Sequence, residues 1–171
     1  MLCLEGEAVI RRIPDRLAEK CRRAVEALQR GLGNDLVAVA LFGSQARGEA
    51  HAESDIDLLV IARNLPSSRF QRLTTLNRLV ASAAGGGIGL VADTPEEFRS
   101  GFPSYYLDLG LDAHILYDPT DFLAQCLQRI REITAEAGLY RVKTPGGWAW
   151  RWKTPPRRGY EITWEGYREF A

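Results

Sequence analysis

Asp55 and Asp57 stand two positions apart at the start of the apolar run Ile56–Ala62. On a strand, residues so spaced project from one face, which sets the two carboxylates side by side. Like charges in that arrangement repel unless something positive lies between them. A divalent cation resolves the conflict. Hard ions such as Mg²⁺ take one or two carboxylates and complete their shell with water and phosphate oxygens. Just upstream, Gly43-Ser44 ends another apolar run, Leu36–Phe42. Gly43 lets the backbone turn sharply and approach a ligand closely. Ser44 opens a short helical turn over Gln45-Ala46-Arg47, with N–H groups and a hydroxyl facing an anion, and Arg47 adds a positive charge. A loop that holds phosphates beside carboxylates that hold a metal suits in-line phosphoryl or nucleotidyl transfer. Taken singly, an Asp-x-Asp at a strand start is usually just a solvated strand start, and Gly-Ser a plain turn. The conjunction within "LFGSQARGEAHAESDIDLLVIA" is what points to chemistry.

Positioning these residues requires rigid strands on both sides of the loop. Leu36–Phe42 and Ile56–Ala62 are near-continuous apolar runs, the pattern of strands buried on both faces. A helix is predicted from about Asp15 to Arg30, with Leu17, Cys21, Ala24, Val25 and Leu28 on one stripe. A second helix spans Ser67–Ala84, followed by a strand at Ile88–Ala92. Thr94-Pro95-Glu96-Glu97 reads as a capping box with proline at the first helical position. Ala113–Tyr117 reads as a strand and Thr120–Ala137 as a helix ended by Gly138. From Tyr140 the composition changes, and all four tryptophans, Trp148, Trp150, Trp152 and Trp164, fall there. "GGWAWRWK" alternates, so its three tryptophans share a strand face, and "YEIT" suggests a further strand. The expectation is an α/β domain over residues 1–138 with a basic, Trp-rich extension, 139–171, packed on it.

The stretch "GSQARGEAHAESDIDLLV", with the order of elements through "TPEEF" and "ILYD", resembles the polymerase-β-like nucleotidyltransferases, in particular their small, minimal members. The resemblance implies a mixed sheet flanked by helices. It implies transfer of a nucleoside monophosphate from an NTP, with ATP as the expected donor and Mg²⁺ or Mn²⁺ as the metal. Gly43 and Ser44 match the family's phosphate loop, and Asp55 and Asp57 its metal-binding carboxylates. The acceptor is a hydroxyl, on a small molecule, a partner protein or an RNA end. Small members are often paired with a helical HEPN-type partner as antitoxin and toxin, and some modify that partner with nucleotides.

The chain departs from the pattern at the third carboxylate, which active members carry on the following strand. Gly89 occupies that place in "GIGLVAD". Asp93, at the strand's far end, is the candidate replacement, with capping of the next helix as its ordinary alternative. Asp108 and Asp112 follow without an assignable place. Glu49, His51 and Glu53 read as a solvated loop, His114 as a structural side chain in a strand, and Cys126 as core packing. Two functional readings therefore stand open: an active enzyme, or a nucleotide-binding, antitoxin-like module that has lost turnover. A plain structural domain leaves the opening stretch unexplained.

Bulk properties bound these readings. Lys and Arg number 22, as do Asp and Glu, so no overall positive field draws in nucleic acid. The segment from Arg141 onward nevertheless carries seven Lys/Arg against three Glu. Basic residues among tryptophans are what single-stranded nucleic-acid sites use, although packing of the Trp face on the domain accounts for the same pattern. Cys3, Cys21 and Cys126 form no CxxC pair, which fits free thiols in a reducing compartment. Glu5 and Glu7 interrupt any apolar leader, and no apolar run spans a membrane. A cytoplasmic location is expected.

Overall fold

A computed structural model describes residues 14–51 and 54–170. The expectations that rest on Cys3, Glu5, Glu7 and Glu53 lie outside the described residues. The chain runs α1 (Asp15–Leu32), a 3-10 turn (Gly33–Asp35), β1 (Leu36–Phe42), α2 (Gly43–Ala46), β2 (Ile56–Ala62), α3 (Arg69–Ala84) and β3 (Ile88–Asp93). It continues through α4 (Pro95–Ser100), α5 (Tyr105–Asp112), β4 (His114–Tyr117) and α6 (Phe122–Glu136). Two hairpins close it, β5 (Leu139–Thr144) with β6 (Gly147–Trp152), and β7 (Tyr160–Thr163) with β8 (Gly166–Glu169).

The central sheet has the order β3-β2-β1-β4. β1 is antiparallel to β2 and to β4, whereas β2 and β3 are parallel, so the sheet is mixed. The two inner strands are buried almost throughout, which explains their unbroken apolar character. Alternation splits them between two cores. Val39, Leu41, Leu58 and Val60 pack with Leu17, Cys21, Leu28, Leu76 and Val80 from α1 and α3. Ala38, Ala40, Leu59 and Ile61 pack on the opposite face with Phe98, Leu109, Leu123 and Ile130. The result is a mixed sheet flanked by helices on both faces, the architecture that the resemblance implies.

The parallel β2–β3 pair requires a crossover, which α3 supplies. Ser68 caps α3, its hydroxyl accepting from the Gln71 N–H. Arg72 of this helix is only 4% exposed. Its guanidinium donates to Pro66 O at 3.0 and 2.9 Å, to Ala92 O at 2.8 Å and to the Glu97 carboxylate at 2.7 and 3.0 Å. Those bonds offset the cost of burying the charge and tie α3 to the end of β3 and the start of α4. Thr94 and Glu97 form the predicted capping box, with Glu97 N donating to Thr94 Oγ1 at 3.2 Å and Thr94 N to Glu97 Oε2 at 2.8 Å.

The C-terminal tryptophans mostly pack. Trp150 and Trp152 lie against Leu107, Ala137 and Leu139. Trp164 stacks among Phe98, Phe102 and Tyr106 with centroids 5.8, 5.4 and 5.7 Å away, and donates its indole N–H to Gly101 O at 2.8 Å. Arg151 and Lys153 face outward, exposed. Cys21 and Cys126 are buried free thiols, each 2% exposed. Among the described residues, no helix is long and apolar enough to cross a membrane.

Candidate active site

The first site residues meet where three strands abut. Phe42, the last residue of β1, pairs with Asp57 on β2. Asp57 pairs in turn with Gly89 on β3. Its carboxylate fills the space that two glycines leave. A Cβ on Gly43 would lie 2.3 Å from Asp57 Oδ2, and one on Gly89 would lie 3.0 Å from Oδ1. Gly43 also has φ +74°, a left-handed conformation that suits glycine. The phosphate-loop glycine is therefore required twice, for the turn and for the approach of the aspartate.

α2 begins at Gly43, and no side chain caps its first N–H groups. Those groups are free to meet an anion at this helix start. The turn is braced from several sides. Arg47 N donates to Gly43 O at 3.3 Å and Glu49 N to Ser44 O at 3.0 Å. Gln45 Nε2 donates to Ser54 O at 3.1 Å, and the His114 imidazole bonds Ala46 O at 2.9 Å. The two ends of the loop are thus fixed to each other and to β4. His114 is structural, as expected, and what it braces is the turn at Gly43–Ala46.

The surroundings of Asp57 disfavour its charge. Burial raises the Asp57 carboxyl above the ordinary carboxylate value, repulsion from Asp55 adds to that, and Arg47 only partly opposes it. An additional positive charge would relieve both stresses. Among the described residues, no group of three or more His, Cys, Asp or Glu side chains gathers as a metal cage. Two carboxylates with the rest of the shell left to water and phosphate are what Mg²⁺ commonly takes, so Asp55 and Asp57 fit that ion in partnership with a nucleotide.

Gly89 stands directly opposite Asp57, so the place expected for a third carboxylate holds no side chain. Asp93 is not brought to it. It pairs with Ile61, four strand positions from the Asp57–Gly89 pair and so about 13 Å along the strand. The nearest cation to Asp93 is Arg72, at 4.0 Å. Nor does Asp93 cap α4, because Thr94 and Glu97 do so.

Glu49 was expected in a solvated loop and is instead held by three donors. Its carboxylate accepts from Trp148 Nε1 at 2.8 Å, Lys143 Nζ at 2.9 Å and Arg47 Nε at 3.0 Å. These contacts lower its pKa to about 2, the Trp148 bond contributing most. Asp108 and Asp112 lie on α5 and face Arg141, and Asp112 also stands 3.5 Å from Arg47. A cavity of about 180 Å³ separates α5 from the phosphate loop, lined by Phe42, Gly43, Arg47 and the two aspartates among others. Phe42 and Tyr105 also line a neighbouring cleft of about 410 Å³ along β3, with Val91 and Arg69. None of this was legible from local spacing, since α5 and the extension meet the loop only in three dimensions.

Comparison with known proteins places the chain among nucleotidyltransferases. The nucleotidyltransferase domain family model matches residues 19–102, the stretch that contains Gly43, Ser44, Asp55 and Asp57. A protein of Methanocaldococcus jannaschii with the provisional name protein adenylyltransferase is 32% identical over 131 residues, which cover 74% of this chain and 84% of the relative. Solved structures with a similar course include a toxin–antitoxin crystallised with AMP-PNP, at 22% identity over 67% of this chain and 90% of that chain, with a TM-score of 0.48. Another is the MNT antitoxin bound to a tri-AMPylated HEPN toxin from Shewanella oneidensis, at 19% identity over 71% and 91%, with a TM-score of 0.46.

Proposed function

The chain belongs to the nucleotidyltransferase-domain family, and on that footing we propose that it is a Mg²⁺-dependent enzyme that moves a nucleoside monophosphate, with ATP as donor, onto a hydroxyl of a protein. The observation that carries this reading is the Asp57 carboxylate seated between Gly43 and Gly89 at the mouth of the phosphate loop. The loop N–H groups at Gly43 and Ser44, with Arg47, would bind and orient the triphosphate. Asp55 and Asp57 would hold the metal, which when bound supplies charge neutralisation for the α-phosphate and the leaving group. The acceptor oxygen attacks the α-phosphorus with loss of its proton, the bond to the β-phosphate breaks, and pyrophosphate departs. The protein acceptor is supported by the name carried by the M. jannaschii relative. We take residues 1–138 as the transferase unit and 139–171 as an extension packed on it, in a cytoplasmic setting that suits the buried free thiols.

A second reading is favoured by Gly89. With no side chain opposite Asp57, the site would bind nucleotide without turnover, and the protein would act by binding a helical HEPN-type partner. Calorimetric titration of ATP and the other NTPs, with and without Mg²⁺, tests the common premise on wild type and on Asp55→Asn/Asp57→Asn. Mg²⁺-dependent binding lost in the double variant is expected, and absence of binding to any NTP refutes both readings. Mass spectrometry of candidate acceptors after incubation with Mg·ATP then separates them. A nucleotidyl adduct that Asp57→Asn abolishes marks the enzyme, whereas an adduct that persists in Asp57→Asn overturns the metal role.

A further inference from the structure

The inward face of the β5–β6 hairpin is devoted to the rim of this site. Register puts Arg141 opposite Trp150 and Lys143 opposite Trp148, and all four side chains project the same way. Each reaches an acid of the domain. Lys143 and Trp148 donate to Glu49. Arg141 makes a forked pair with Asp112 and reaches Asp108 at 3.1 Å, where Trp150 Nε1 also donates at 3.2 Å. The Arg141 guanidinium lies over the Trp148 ring, 4.6 Å from its centroid. These contacts knit the hairpin's cations together.

Two of those acids, Glu49 and Asp112, are also the partners of Arg47. On its own, that arrangement would hinder nucleotide binding. Arg47 would be held by two carboxylates, and its transfer to a phosphate would leave both unpaired beside a polyanion. The hairpin removes the conflict, because each acid has a second cation of its own: Lys143 for Glu49 and Arg141 for Asp112.

Resting on the nucleotide reading above, we propose that the β5–β6 hairpin is a positioning strap for the nucleotide site. Lys143, Trp148 and Arg141 hold and neutralise Glu49 and Asp112, which leaves Arg47 available to nucleotide phosphates. These are positioning residues, because they act through Glu49 and Asp112. The strap also couples in reverse. A nucleotide that draws Arg47 away tightens the remaining pairs between the hairpin and its acids, since linkage is reciprocal.

The test is calorimetric titration of Mg·ATP into the full chain, for wild type, Trp148→Phe/Lys143→Ala, and the same double variant carrying Glu49→Gln. The double variant strips Glu49 of two donors and should bind roughly tenfold more weakly, the scale of a charge-assisted hydrogen bond. Adding Glu49→Gln removes the uncompensated charge and should restore affinity to within about twofold of wild type, a rescue that a purely structural role cannot give. Trp148→Phe alone keeps the ring beneath Arg141 and should show a smaller loss in the same direction, should the double variant fold poorly. Unchanged affinity in the variants, or a loss that Glu49→Gln does not restore, overturns the strap while the nucleotide reading stands. A wild type that binds no Mg·ATP overturns the nucleotide reading and the strap with it.

Discussion

Gly43→Ala isolates the close approach at the centre of the site. The substitution has two consequences that Gly48→Ala separates. Both glycines have left-handed backbones, φ +74° at Gly43 and +69° at Gly48, and both lie in the phosphate loop. An alanine at either position is strained by about 1–2 kcal/mol. For a chain of this size that lowers the melting temperature by about 2–4 °C per kcal/mol. Only Gly43 has a neighbour. Its Cβ would lie 2.3 Å from Asp57 Oδ2, whereas nothing lies within 4 Å of a Cβ on Gly48. The Asp57 carboxylate must retreat by roughly 1 Å to reach ordinary contact, and a misplacement of that size costs about 10²-fold in a reaction that depends on alignment. The expected result is two variants of similar stability in urea unfolding. Gly48→Ala should keep Mg·ATP binding and transfer near wild type, and Gly43→Ala should lose about 10²-fold in transfer. Equal losses in the two, or full activity in Gly43→Ala, would refute the claim that Asp57 must sit against the loop.

Four further outcomes follow from the geometry. Asp57→Asn should abolish Mg²⁺-dependent transfer yet leave stability at neutral pH unchanged or raised, because burial and Asp55 disfavour its charge; a marked fall in the urea midpoint would contradict that. Arg72→Met should destabilise by about 1–3 kcal/mol, since the carbonyls of Pro66 and Ala92 lose their donor while the half-exposed Glu97 carboxylate returns to water, and chemical denaturation reads this directly. Glu97 has its pKa lowered from 4.5 to about 2, chiefly by its bond to Arg72. Its contribution to stability is therefore complete above about pH 4.5 and lost as pH falls towards 2, and Glu97→Gln should flatten that part of the pH–stability curve. Truncation after Gly138 should expose the apolar patch around Leu107 and Ala137 that Trp150 and Trp152 cover, seen as increased dye binding and a lower melting temperature; an unaltered melt would show that the extension is only appended.

The inner strands were legible to the residue, because burial on both faces leaves an unbroken apolar run between turn signals, as in Leu36–Phe42 and Ile56–Ala62. The cap at Thr94 was equally local, whereas that at Ser68 was not read, the helix being expected from Ser67. α5 escaped notice because its eight residues, Tyr105–Asp112, are too few for a clear helical stripe. β5 and β8 escaped because edge hairpins carry mixed residues with no strict alternation. At the site, spacing exposed Gly43, Ser44, Asp55 and Asp57, which are close in the chain. It could not expose Glu49's partners in the hairpin, Lys143 and Trp148, which lie 94 and 99 residues away. Arg72 was invisible for a related reason, since a charge on a helix normally faces water and the bonds that make its burial tolerable include the distant Glu97 and Ala92.

That distance orders events during synthesis. The loop and the aspartate strand are neighbours, so a chain leaving the ribosome has both well before the hairpin is made. Trp148 follows Glu49 by 99 residues. A domain folds as a unit, so after β4 and α5 have emerged and before β5 and β6 follow, Arg47 faces Glu49 and Asp112 without the hairpin's cations. On the proposed strap, the site is complete only once β5 and β6 have been made, and a chain that stops before them lacks the residues that make its arginine available.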